Sequence, residues 1–85
     1  MYRIILSKQA DKTLRKLPRN VADQIQGKLI DLARNPHAPN NNVTAMQGRP
    51  GFRLRVGDWR VIYEVEDDVL RIYVFRIAPR GEVYR

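Results

Sequence analysis

The chain contains no cysteine and a single histidine, His37, and these two shortages remove much of the usual catalytic chemistry. Without cysteine there is no disulfide framework and no thiolate metal site, and nucleophilic catalysis by a Ser–His or Cys–His pair lacks candidates. His37 stands among loop-forming residues with no second ligand near it in sequence, so it reads as a surface loop histidine. No HExxH motif occurs, and the adjacent Asp67 and Asp68 point apart in a strand or turn, so they read as solvated turn residues. Metal-assisted hydrolysis is therefore unsupported, and no metal or other cofactor is expected. No glycine-rich loop opens a helix, which argues against a nucleotide cradle. Apolar runs are short as well. Met1-Tyr2-Arg3-Ile4-Ile5-Leu6 is too brief for a signal-peptide core, and no later stretch is long enough to span a bilayer. The expectation is a cytoplasmic protein without a membrane partner.

What the chain has in excess is positive charge. Its 85 residues carry a formal charge of +7 on a composition that is 44% hydrophobic, so a single globular domain over residues 1–85 is expected, with anionic partners. The charge is uneven. Residues 1–50 hold nine Lys/Arg against three Asp/Glu, and residues 51–85 hold seven Arg against six Asp/Glu. The first half predicts a broadly basic surface, the second a local arginine site.

Tyr2-Arg3-Ile4-Ile5-Leu6 alternates as a strand, and Ser7 is a good N-cap for a helix from Lys8 to about Leu17. That helix buries Ala10, Leu14 and Leu17 at helical spacing and leaves Lys8, Lys12, Arg15 and Lys16 outside the stripe as candidate RNA-binding residues. Pro18 ends it, and Asn20 would cap a second helix running to Arg34-Asn35-Pro36. The stripe of this second helix is Val21, Ile25, Leu29 and Leu32, widened by Ala22, Ile30 and Ala33. Residues 36–51 read as a loop region, with Met46 in a short strand or anchoring the loop.

The centre of the chain is Phe52-Arg53-Leu54-Arg55-Val56-Gly57-Asp58-Trp59-Arg60-Val61-Ile62-Tyr63. Period-two alternation around Gly57-Asp58 predicts a two-residue hairpin with Val56 facing Trp59. Phe52, Leu54, Val56, Trp59, Val61 and Tyr63 then share one face, and Arg53, Arg55 and Arg60 the other. Arg55 falls directly opposite Arg60, an arrangement that weakens a hairpin unless an anion occupies the site. A third strand is expected over Val69–Phe75. A two-residue turn at Asp67-Asp68 sets Glu64 opposite Arg71, Ile62 opposite Tyr73 and Arg60 opposite Phe75, and turns Leu70, Ile72 and Val74 to the helices. Pro79 and Gly81 mark a turn that breaks the strand and brings Arg80 and Tyr84 towards the arginines. The fold class expected is α+β: a small antiparallel-rich sheet with an N-terminal helical hairpin on one face, in the order β-α-α-β-β-β.

Arginine and tyrosine are what remains for chemistry. RNA carries its own nucleophile in the 2′-hydroxyl, so a protein that cuts it needs to align that oxygen, remove its proton and stabilise charge at phosphorus. Arginines can hold the phosphate, and a tyrosine beside them is biased towards phenolate. Composition and spacing alone support a basic antiparallel-sheet module more firmly than a nuclease.

The combination of strand, helical hairpin bent at Leu17-Pro18, loop closing in Met46-Gln47-Gly48-Arg49-Pro50-Gly51, arginine hairpin and terminal Arg80-Gly81-Glu82-Val83-Tyr84-Arg85 resembles the RelE-type toxins of bacterial toxin–antitoxin systems, in the RelE/ParE superfamily. The resemblance implies a ribosome-dependent endoribonuclease that cuts mRNA in the ribosomal A site by 2′-hydroxyl attack without metal. It also implies a cognate antitoxin that neutralises it and operator DNA bound through the antitoxin complex. Carried over by position, Arg53 and Arg55 hold the phosphate and activate the base. Arg60 stabilises the transition-state charge, Arg80 assists the leaving group, and Tyr84 is the base. Tyr73 adds an aromatic ring for RNA. Where the family pattern allows lysine, this chain has arginine at both Arg53 and Arg55, and Ala78-Pro79 precedes Arg80. Two other readings stay open: a ParE-like toxin that inhibits DNA gyrase by binding, and a non-catalytic RNA- or operator-binding module.

Overall fold

A computed structural model describes residues 1–82. Arg3–Leu6 (β1) leads into two helices, Lys8–Lys16 (α1) and Arg19–Arg34 (α2), followed by Val43–Ala45 (β2), Phe52–Val56 (β3), Trp59–Glu66 (β4) and Arg71–Pro79 (β5). The strands form one sheet in the order β1-β5-β4-β3-β2, parallel between β1 and β5 and antiparallel elsewhere. The α+β expectation holds, with β2 as a further short edge strand in the expected loop region.

Ser7 caps α1 as its sequence position predicts, its Oγ accepting from the Ala10 N–H at 3.0 Å. The start of α2 differs from expectation. Arg19, not Asn20, opens the helix, with Pro18 at the N-cap and no side-chain cap. The Pro18 carbonyl accepts from the Val21 and Ala22 N–H groups instead, each at 3.0 Å. Proline suits this place because it fixes φ and its missing donor is not needed there.

Both helices cover one face of the sheet. Ala10 and Leu14 of α1 and Ile25, Leu29, Leu32 and Ala33 of α2 pack on Leu54, Val56, Val61, Tyr63, Ile72, Val74 and Ile77. Full burial of such side chains is worth roughly 1.5–3 kcal/mol each, so this layer holds the domain together. Phe52 stacks on its cross-strand partner Tyr63 with ring centroids 5.5 Å apart. Ile30, expected to widen the buried stripe of α2, is 42% exposed. It borders a shallow surface depression with Ile4, Leu6, Leu14 and Leu29.

The hairpin register is the expected one, with Val56 opposite Trp59 and Arg55 opposite Arg60. Gly57 has φ +57° while Asp58 keeps negative φ, the pattern of a II′ turn, which fits the twist of the flanking strands. The β4–β5 register departs from expectation. Their connection is a four-residue turn over 67–70, closed by Leu70 at φ 51°. It pairs Glu66 with Arg71 and Glu64 with Tyr73, and Glu66 takes a two-pronged contact from Arg71 at 3.0 and 2.8 Å. Leu70 is consequently in the turn and 53% exposed rather than in the core. A bulge between Ile62 and Tyr63 then shifts the pairing, so that Ile62 meets Arg76 and Arg60 meets Ala78, not Tyr73 and Phe75. An extra residue in one strand re-aims the side chains beyond it. Here it leaves Phe75 and Arg76 both off the core face, between the buried Val74 and Ile77.

Candidate functional site

The sheet face away from the helices carries Arg53 and Arg55 from β3, Arg60 from β4 and Arg76 from β5, and Arg80 follows at the strand end. Period-two alternation on β3 and β4 sends the apolar residues to the helices and leaves the arginines on the opposite face. The arginines do not stand on a purely polar floor. Ile62 and Ala78 are 1% and 3% exposed on this side, covered by Met46 and Phe75. Phe75 also stacks on Tyr73, with centroids 6.2 Å apart and planes 27° from parallel. Tyr73 thus lies on the expected face, though opposite Glu64.

At the turn end of the hairpin the arginines converge. Arg60 folds back so that its Nη1 donates to the carbonyls of Gly57 and Trp59, both at 2.8 Å. Those bonds fix its head beside the turn. The Arg80 backbone N–H donates to the Asp58 carbonyl at 2.9 Å, tying the end of β5 to the same turn. Arg55 donates its Nη2 to Asn42 Oδ1 at 3.2 Å, and its backbone N–H to the Asn42 carbonyl at 2.8 Å. Arg55, Arg60 and Arg80 together line an open cleft of about 510 Å³. Arg53 lines a neighbouring cleft of about 350 Å³ with Thr44, Met46, Gln47 and Arg49. The loop that shapes this second cleft is pressed onto β4 at Gly51, whose φ is 111° and where a Cβ would stand 3.0 Å from the Tyr63 carbonyl. Only glycine fits that close approach comfortably.

The electrostatics at this end of the sheet favour an anion. The Arg60 guanidinium is held below its ordinary pKa, first by partial burial and then by repulsion from Arg80, Arg55 and Arg53, with Asp58 opposing. The repulsion itself records the convergence: four arginines from three elements feel one another at one end of the sheet. A bound phosphate reverses the sign of the local interaction and suits the planar donor forks.

Of the residues singled out from the sequence, Arg53, Arg55, Arg60 and Arg80 come together here, and Tyr73 shares their face. Tyr84 lies outside the described residues. Lys8, Lys12, Arg15 and Lys16 are not brought to this site. They are exposed on α1, which packs on the opposite face of the sheet, and Arg15 is paired with Asp11 at 3.1 Å. His37 is exposed and meets Asp67 at 2.6 Å, away from the arginines. Sequence reasoning missed Arg76, which the bulge turns onto the arginine face. Its Nε is buried with no hydrogen-bond partner among the described residues, and its Nη2 donates to the Glu82 carbonyl at 3.4 Å. The signal was the spacing of Ile72, Val74 and Ile77, where a step of three interrupts the alternation.

A mixed sheet, helices on one face and a cleft of arginines at one end define a small basic α+β protein with a concentrated cationic site. The model of the ParE toxin of type II toxin–antitoxin systems matches residues 4–84, and the chain belongs to that family. It is 28% identical to the mRNA interferase toxin RelE of Escherichia coli strain K12, over 98% of this chain and 90% of that protein. The structure is similar to archaeal RelE in the RelE–RelB complex from Pyrococcus horikoshii OT3, with a TM-score of 0.82 and 29% identity over 96% of this chain and 98% of that one. Isolated E. coli RelE superposes with a TM-score of 0.80 at 26% identity, over 99% of this chain and 92% of that one.

Proposed function

We propose that this chain is a toxin that cleaves mRNA in the ribosomal A site and is neutralised by a cognate antitoxin. The observation that carries the reading is the gathering of Arg55, Arg60 and Arg80 in one cleft at the turn end of the hairpin with Arg53 close by, where partial burial first and then repulsion from the other arginines hold the Arg60 guanidinium below its ordinary pKa. Similarity to proteins named mRNA interferase supports it, as does similarity to RelE bound to RelB. Ribosome and message are the working partners, the cytoplasm is the place of action, and operator DNA is reached through the antitoxin complex.

The chemistry needs no group beyond the chain, the RNA and solvent water. The 2′-oxygen attacks the adjacent phosphorus as its proton passes to the Tyr84 phenolate. The bond from phosphorus to the 5′-oxygen breaks, leaving a 2′,3′-cyclic phosphate and a 5′-oxyanion that takes a proton from solvent water to become the 5′-hydroxyl. Arg53 and Arg55 hold the non-bridging oxygens, Arg60 offsets the charge that grows on them, and Arg80 stabilises the departing 5′-oxygen. Such preorganised donors are worth about 100- to 1,000-fold in rate each. Tyr73 and Phe75 supply a stacked pair against which an unpaired base can lie.

The second reading, inhibition of DNA gyrase by binding, is favoured by the ParE description of the matched family. Expression of the protein separates the two. Arrest of protein synthesis with truncated messages supports the nuclease, and an Arg80→Ala variant should then lose most cleavage. Loss of DNA supercoiling while translation continues would establish the gyrase reading instead.

A further inference from the structure

The cleft that holds Arg55, Arg60 and Arg80 has a second wall, made by Gln24 and Lys28 of α2, with Asn42 between. Gln24 and Lys28 are one helical turn apart, so their side chains lie one above the other on a single row. That row borders the buried stripe of Ile25, Leu29 and Leu32 on the side towards the hairpin turn. Lys28 is exposed and forms no ion pair among the described residues. The carboxylate three residues on, Asp31, is engaged by Arg34 at 3.7 Å, and the positions four residues away on either side are Gln24 and Leu32. Helix packing therefore brings an uncommitted ammonium to the arginine cleft.

The charge count of the cleft also points to more than one phosphate. Four cations, Lys28, Arg55, Arg60 and Arg80, face one carboxylate, Asp58. A single phosphodiester carries one negative charge and leaves most of this excess unmet. A cleft lined by one sign of charge concentrates its counter-ion, and RNA supplies the next phosphate at the neighbouring nucleotide.

We infer that Lys28, assisted by Gln24, is a positioning residue that binds the backbone phosphate of the message next to the scissile one, leading the RNA off the sheet end and over α2. This rests on the reading of the chain as an mRNA-cleaving toxin. Lysine suits the role. It acts as a compact charge on a flexible stem and holds a phosphate without demanding one orientation, whereas the planar arginine forks fix the reacting group.

Steady-state cleavage of ribosomes carrying a message in an otherwise empty A site, with wild-type, Lys28→Ala and Lys28→Arg proteins, provides the test. Lys28→Ala should raise KM roughly 5- to 10-fold with kcat within about twofold, and Lys28→Arg should restore KM, as expected for a phosphate contact that positions the strand. Binding of a short single-stranded RNA should lose about 0.7 from its logarithmic salt slope in Lys28→Ala. Unchanged KM and salt slope in a cleaving wild-type background would overturn the inference and leave the functional reading intact. A fall in kcat at constant KM would overturn it too, by placing Lys28 on the reacting atoms. Equal weakening on ribosomes whose message stops short of the A site would move the contact to ribosomal RNA and refute it. Absence of cleavage and RNA binding by the wild-type protein would remove both.

Discussion

Arg55 and Arg60 occupy directly opposed positions on β3 and β4, where an isolated hairpin would favour almost any other pair. Under the proposed function, activity and stability pull apart at this pair. Arg55→Thr introduces a strand-favouring residue and removes the repulsion, so the hairpin should gain about 0.2–1 kcal/mol. Cleavage should fall about 100-fold with the loss of a phosphate donor. A melting curve and a cleavage assay on the same preparation check the trade, and a joint loss of stability and rate would contradict it.

Tyr63 shows the opposite relation, a buried group with no part in the site. Its ring is fully buried against Phe52, its hydroxyl has no hydrogen-bond partner among the described residues, and burial pushes its pKa up to about 12. The native state keeps this proton above pH 10, where the unfolded phenol gives it up, so stability falls as pH rises from about 10. Tyr63→Phe should leave stability at neutral pH unchanged or slightly higher, because an orphaned polar group is removed. It should also flatten the alkaline loss in a series of denaturant titrations. Tyr2, whose pKa is raised chiefly by its hydrogen bond to Asp67, keeps part of that slope.

At the scale of elements, α1 and β5 are joined by two side chains, Gln9, which exchanges two hydrogen bonds with the Ile77 backbone at 2.9 and 3.0 Å, and Ser7. Ser7 Oγ caps α1 and also donates to the Phe75 carbonyl at 2.9 Å, beside the bulge. Ser7→Ala removes both bonds and should cost about 1–2 kcal/mol, read as a drop in the denaturation midpoint. In α2, Gly27 is exposed and a Cβ there would meet nothing within 4 Å. Gly27→Ala should stabilise the protein by about 0.5–1 kcal/mol without altering cleavage, since helix propensity is the only thing changed.

These elements also mark what a sequence can and cannot display. The β3–β4 hairpin was legible because alternation and Gly57-Asp58 agree on one register, and the N-cap at Ser7 because a hydroxyl precedes an amphipathic stretch. The bulge was hidden because Val74-Phe75-Arg76-Ile77 supplies apolar residues at either parity, so simple alternation chose the wrong partner for Arg60. Leu70 closes its turn at positive φ, and leucine gives no hint of that conformation. The start of α2 rests on the Pro18 carbonyl, a backbone group that every residue possesses. Nothing in the sequence singles out Lys28, because its meeting with the hairpin depends on how α2 crosses the sheet.

Across the whole molecule, the sheet divides labour between its faces. One is sealed by two helices and supplies stability, and the other carries arginines around a small apolar floor of Ile62 and Ala78. The basic residues of α1 lie on the sealed side, so the formal charge of +7 is not all directed at one strand of RNA. Under the proposed function, charge on that side steers the protein towards any polyanion in a salt-dependent way, while the cleft decides what is cut. On that proposal the reaction chemistry belongs to one end of the sheet. Mapping 5′ ends on a defined message after incubation with purified ribosomes and protein tests this most directly. Cuts confined to the codon in the A site, leaving a 2′,3′-cyclic phosphate and abolished together by Arg60→Ala and Arg80→Ala, are expected. Cleavage that survives both substitutions, or no cleavage with ribosomes and message present, would contradict it.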